Sequence, residues 1–152
     1  MNLDPIEILK TVCVILVVDW PTKDVPESLV RSGFQVVVRG GPGPEDYWDY
    51  ELNNGSVVKR QVGRLPDHAD LIYSYRPLRE LPGIIATAKG LHAHTIWTQS
   101  GLSAAGVSDP KGCWLPEDEL RVARELVQSA GLNHASQPYI GEAVTKIRGS
   151  CR

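Results

Sequence analysis

The sequence has no apolar run approaching the roughly 20 residues needed to span a bilayer, so no helical membrane span is expected. It also lacks a basic tract. With a formal charge of −2, nothing in it points to nucleic acid. The stretch "MNLDPIEILK" has no basic region followed by an apolar segment, and it is therefore not read as a secretory signal. Cysteine is scarce: Cys13, Cys113 and Cys151 form an odd set with no pair at metal-ligand spacing. The plain reading is a reduced, cytoplasmic protein in which Cys13 packs inside an apolar strand like a small hydrophobe. His68, His92, His94 and His134 are scattered and match no zinc motif, so no metal is expected.

Catalytic signatures are missing as well. There is no GxSxG nucleophile elbow and no paired-acid motif. Cys113, in "KGCWLPEDE", precedes a helix start that would lower a thiol pKa, but no base accompanies it. What is present is ordinary globular material, 42% hydrophobic and 22% charged over 152 residues. That composition argues against disorder and for one domain (1–152) with a single well-filled core.

The apolar pattern alternates between two periods. "TVCVILVV" (Thr11–Val18) is a β-branched run of the kind buried on both faces in a parallel sheet. Asp24 with Glu27 three residues later reads as a helix start, Pro26 is tolerated in the first turn, and Gly33 ends the helix. "FQVVV" (Phe34–Val38) is the second buried strand. The alternating stretch from about Tyr47 to Val62, broken by Asn53-Asn54-Gly55, predicts an antiparallel hairpin.

Strands are then expected at Ala69–Tyr75, His94–Gln99 and about Leu132–Ala135. Helices are expected around Pro82, after Pro116 and from about Pro138 to Ile147. In the helix after Pro116, Leu120, Ala123, Leu126, Val127 and Ala130 are expected to face inward, and Gly131 to stop it. The order β-α-β-hairpin-β-α-β-α-β-α implies an α/β, Rossmann-like doubly wound fold: a mostly parallel sheet with an added β-hairpin.

In such sheets ligands bind at the carboxyl ends of the strands, beside the reversal of strand order. The loop after the first strand is Asp19-Trp20-Pro21-Thr22-Lys23, where a dinucleotide-binding turn has glycines that let bare backbone approach phosphates. Two readings stand: a well-capped helix under a Trp20 lid, or a modified phosphate site using Thr22, Lys23 and backbone N–H groups. After the second strand come Arg39, Gly40 and Gly41. An arginine at this position suits a ribose carrying an extra phosphate, as in coenzyme A or NADP; the other reading is a solvated arginine opening a Gly/Pro loop. Arg76, after the next strand, is a candidate anion contact or a salt-bridge partner of Glu80. Gln99 ends the following strand in "QSG", placed for ligand hydrogen bonds. Trp97 is read as core.

Taken together, "SGFQVVV", "VVVRGGPG" and "ADLIYSYRPLRELPGIIATAKGLHAHTIWTQSGL" resemble the stand-alone CoA-binding domain family. These are Rossmann-like proteins related to the N-terminal domain of the succinyl-CoA synthetase α subunit. The resemblance runs from about Thr11 to Val144. It implies CoA or an acyl-CoA as cofactor and small-molecule partner, with phosphates at Asp19, Trp20, Pro21, Thr22 and Lys23 and the adenosine part at Arg39, Gly40 and Gly41. Where the family has a glycine the chain has Asp19, the first loop is shorter, and the Arg-Cys pair that often follows the last strand is missing from "LNHASQPY". The leading expectation is a non-enzymatic cytoplasmic CoA-binding protein. The alternatives are an interaction or regulatory module that has lost the ligand, and a small NADP-binding oxidoreductase.

Overall fold

The computed structural model describes residues 4–18, 24–40, 46–99, 115–137, 140–149 and 151. Strand β1 (Val14–Val18) is followed by α2 (Asp24–Arg31) and β2 (Gln35–Arg39), after a short α1 (Pro5–Leu9). The hairpin strands are β3 (Tyr47–Asn53) and β4 (Ser56–Gln61). The chain then runs through β5 (Leu71–Ser74), a 3-10 turn (Leu78–Glu80), α3 (Leu81–Gly90) and β6 (Thr95–Thr98). It ends with α4 (Glu117–Ser129), β7 (Asn133–Ala135), α5 (Ile140–Ala143) and a second 3-10 turn (Val144–Lys146).

The seven strands form one sheet in the order β4-β3-β2-β1-β5-β6-β7. β2-β1-β5-β6-β7 are parallel, while β3 runs antiparallel to both β2 and β4. This is the Rossmann-like α/β architecture with the hairpin appended to one side.

Strand periodicity sorts the core into two layers, because successive side chains point to opposite faces. Ile15 and Val17 of β1, Val36 and Val38 of β2, Tyr73 of β5 and Trp97 of β6 join one cluster with residues of α1, α2 and α5. Leu16 and Val18, Val37, Ile72 and Ile96 join the other with residues of α3 and α4. The β-branched runs are therefore apolar without interruption because both faces are covered.

The turns follow from backbone chemistry. Asn54 (φ 53°) and Gly55 (φ 81°) carry the positive φ angles of the hairpin turn, and Gly33 (φ 98°) ends α2. Asp24 opens α2 as its first residue rather than preceding it, with Glu27 in the same turn favouring the positive end of the helix.

Four expectations are corrected. Leu126 is not an inward residue of α4: it is 39% exposed, because the buried stripe runs through Ala123 and Val127. The last helix is shorter than Pro138–Ile147, α5 giving way to a 3-10 turn at Val144. The N-terminal helix α1 was not expected, although Asp4-Pro5 is a helix start: the Asp4 side chain accepts from the Ile6 N–H at 2.9 Å and Pro5 fills the first helical position.

Finally, Cys13 is not a free buried thiol. It lies just before β1, half-buried, in a disulfide with Cys151 across a sequence separation of 138, with the Cα atoms 4.8 Å apart. The argument for a reducing compartment from unpaired cysteines goes with it. Cys113 lies outside the described residues. No described helix is long and apolar enough to cross a membrane.

The C-terminal tail is also held by backbone. The Gly149 N–H donates to Ser32 O at 2.8 Å, and Arg148 Nη1 donates to Arg31 O at 3.0 Å. A β-carbon on Gly149 would stand 2.6 Å from Gly33 O and 2.7 Å from Gly33 C. Both obstacles are main chain and cannot swing aside. Gly149→Ala is therefore expected to lift the tail and cost about 1–3 kcal/mol, as overpacking does, read as a lower urea midpoint.

Candidate functional site

β1 has β2 on one side and β5 on the other, and the chain crosses over β1 between its hairpin half and its β5-β6-β7 half. The strand order therefore reverses at β1, which opens a crevice at the carboxyl ends there. Register places Val18 of β1 level with Arg39 of β2 and Ser74 of β5, and Ser74 level with Thr98 of β6. The Tyr75 N–H donates to Val18 O at 2.7 Å and the Gln99 N–H to Ser74 O at 3.2 Å, carrying the ladder past the ends of the strands. Arg39 and Arg76 thus emerge on either side of the β1 terminus.

These two side chains share a neighbour. Arg76 Nη2 donates to Glu80 Oε2 at 2.6 Å, and its Nε reaches Oε1 at 3.1 Å, a forked pair about one-third exposed. The Arg76 hydrogen bonds, followed by the charges of Arg76, Arg79 and Arg39, outweigh partial burial and hold the Glu80 carboxyl below its ordinary range. Three guanidinium groups thus act on one carboxylate at the crossover. The salt-bridge reading of Arg76 is realised, and Arg39 is drawn into the same electrostatic group.

Gln99 is 2% exposed, and its Oε1 accepts a hydrogen bond from the hydroxyl of Tyr73 at 2.5 Å. Tyr73, wholly buried, fixes the orientation of that amide under the crevice. Sequence reasoning did not pick out Tyr73, since the pair joins adjacent strands 26 residues apart and neither residue marks the other. Gly40 is exposed, but its N–H donates to Asp46 O at 2.9 Å and closes the loop mouth. That N–H is therefore already engaged. Asp19, Trp20, Pro21, Thr22, Lys23 and Gly41 lie outside the described residues.

Among the described residues, two of the larger clefts lie elsewhere. One of about 740 Å³ runs beneath the hairpin at the amino end of β2, walled by Gln35, Val36, Tyr50, Leu52 and Asp67. The other, of about 370 Å³, lies at the outer edge of β7. Neither has a sequence signal, because each depends on how distant elements meet. Among the described residues, no three His, Cys, Asp or Glu side chains are grouped to hold a metal ion.

The chain matches no protein-family model and no curated protein. It is similar in structure to a solved Thermus thermophilus protein, cell-free ID.343, with a TM-score of 0.56 and 16% identity over 92% of this chain and 93% of that one. The likeness is one of fold. It assigns no ligand.

Proposed function

We propose that this chain binds coenzyme A or an acyl-CoA at the carboxyl ends of β1, β2 and β5, as a binding protein without catalysis of its own. The observation that supports the reading is the pairing of Arg39 and Arg76 around the β1 terminus with Glu80 beside them. Arginine offers a planar fork to phosphate and stays charged at any physiological pH. In this reading Arg39 meets the ribose phosphate, Thr22 and Lys23 the pyrophosphate, and Arg76 and Gln99 line the pocket. Glu80 keeps Arg76 in place until a phosphate draws near. CoA is chiefly an intracellular ligand, so the reading implies the cytoplasm. There the Cys13–Cys151 pair would be reduced, and the backbone bond of Gly149 and the side chain of Arg148 would still hold the tail.

Calorimetric titration of the ligand-stripped protein with CoA, acetyl-CoA, NADP and NAD tests it. CoA is expected to bind at micromolar Kd, about −8 kcal/mol. Arg39→Ala should weaken binding by about 1.5–3 kcal/mol, the range for a charge-assisted hydrogen bond. Absence of binding by CoA and acetyl-CoA, or equal affinity in Arg39→Ala, would remove the support for the reading.

A further inference from the structure

The cleft at the edge of β7 lies four strand spacings from β2, about 19 Å across the sheet. None of the crossover residues lines it, although β7 lies beside the β6 end that carries Gln99. One wall is a stripe of α4 in which Glu117, Arg121 and Arg124 follow one another at helical spacing. The other is the end of β7 and the residues after it: His134, Ser136 and Gln137.

Both arginines are exposed. Glu117 and Arg121 stand at i,i+4 in the favourable order, and Glu125 is four residues beyond Arg121. Even so, neither Arg121 nor Arg124 makes an ion pair or hydrogen bond among the described residues. His134 is anchored from below, its Nε2 lying 2.8 Å from Thr98 Oγ1. Among the described residues no partner meets its other ring nitrogen, Nδ1. Burial, then the charge of Arg124, push the His134 pKa down to about 4, so the ring is neutral at pH 7. Two guanidinium groups, one carboxylate and a neutral imidazole leave the wall singly positive.

We infer that this cleft is a second binding site, one for a small organic oxyanion. Arg121 and Arg124 hold its carboxylate or phosphate, and His134, Ser136 and Gln137 take the polar remainder. The volume of about 370 Å³ falls within the range of small-molecule sites and exceeds what a bare anionic group fills. The net positive charge of the wall suits an anion, and Glu117 disfavours crowding of negative charge.

The test is a titration of the full chain with acetate and, separately, with methyl phosphate, followed by NMR of the His134 ring and the amides of Ser136 and Gln137. At least one probe is expected to give saturable shifts at these residues and to raise the His134 pKa from its starting value of about 4, since a bound anion favours the imidazolium. Whichever probe binds more tightly identifies the carboxylate or the phosphate as the source. The R121Q/R124Q variant, altered at two exposed positions, should keep its unfolding midpoint and lose at least about tenfold in probe affinity. Arg124→Gln alone should raise the His134 pKa without any probe, yet weaken binding. Saturation by neither probe, or unchanged affinity in R121Q/R124Q, would overturn the inference. CoA binding at the crossover is measured separately and stands or falls on its own.

Discussion

Reduction of the Cys13–Cys151 disulfide is expected to lower the stability of this chain more than any other change considered. The bond closes a loop over a sequence separation of 138, and loop-closure entropy for that length corresponds to about 5 kcal/mol at 25 °C. The folded state changes little, because Gly149 and Arg148 still hold the tail against α2. The unfolded chain gains the freedom. For a domain of this size the loss corresponds to a fall in Tm of about 15 °C. Urea unfolding with and without reductant, and of Cys151→Ser, reads it directly. Thiol titration in denaturant without reductant should find one of the three cysteines free, Cys113, and all three after reduction. Three free thiols before reduction, or equal midpoints, would count against it.

Asp70→Ala is expected to cost about 3 kcal/mol, because it leaves two backbone donors without an acceptor. Asp70 Oδ2 accepts from the N–H of Cys13 at 2.8 Å and of Val14 at 2.9 Å, while Oδ1 lies 2.6 Å from His68 Nε2. One carboxylate thus fastens the entry of β1, the central strand from which the sheet is laid down on both sides. Asp70→Asn keeps one acceptor oxygen and should lose less.

Partial burial would raise the Asp70 pKa. The N–H groups of Val14 and Cys13, with His68, outweigh it and hold the carboxyl below its ordinary value. A depressed carboxylate pKa stabilises the fold above the unfolded value, near 3.9, and the stabilisation disappears as pH falls through the folded value. The urea midpoint of the parent should therefore drop below about pH 4, and that of Asp70→Ala should lack this component of the drop. Asp70 and the disulfide both act on Cys13, so their effects should not add. A double-mutant cycle with Cys151→Ser measures the coupling.

The sheet was legible because its signals are local. The β-branched runs of β1 and β2, Asn54-Gly55 in the hairpin, and Gly33 and Gly131 beyond their helices each state a backbone preference within a few residues. Alternation along β1 even assigns each side chain to its layer. Leu126 was misplaced for a related reason: an apolar residue at helical spacing reads as core, whereas the actual stripe is set by where α4 meets the sheet.

The candidate site was half legible. Arg39, Arg76 and Gln99 stand at or just after strand ends, and strand ends can be read from the pattern. Tyr73 beneath Gln99, Arg39 near Glu80, and the Arg121–Arg124–His134 cleft could not be read, since each joins segments that neither propensity nor periodicity relates.

The sequence by itself determined the elements, their order and the two faces of each strand, because these follow from steric preference and burial along short stretches of chain. Only the tertiary structure decided that Cys13 meets Cys151, that Asp70 holds the start of β1, and that Gly149 must have no side chain. Those contacts depend on which strand lies beside which, and that is fixed when the whole sheet closes over its two cores.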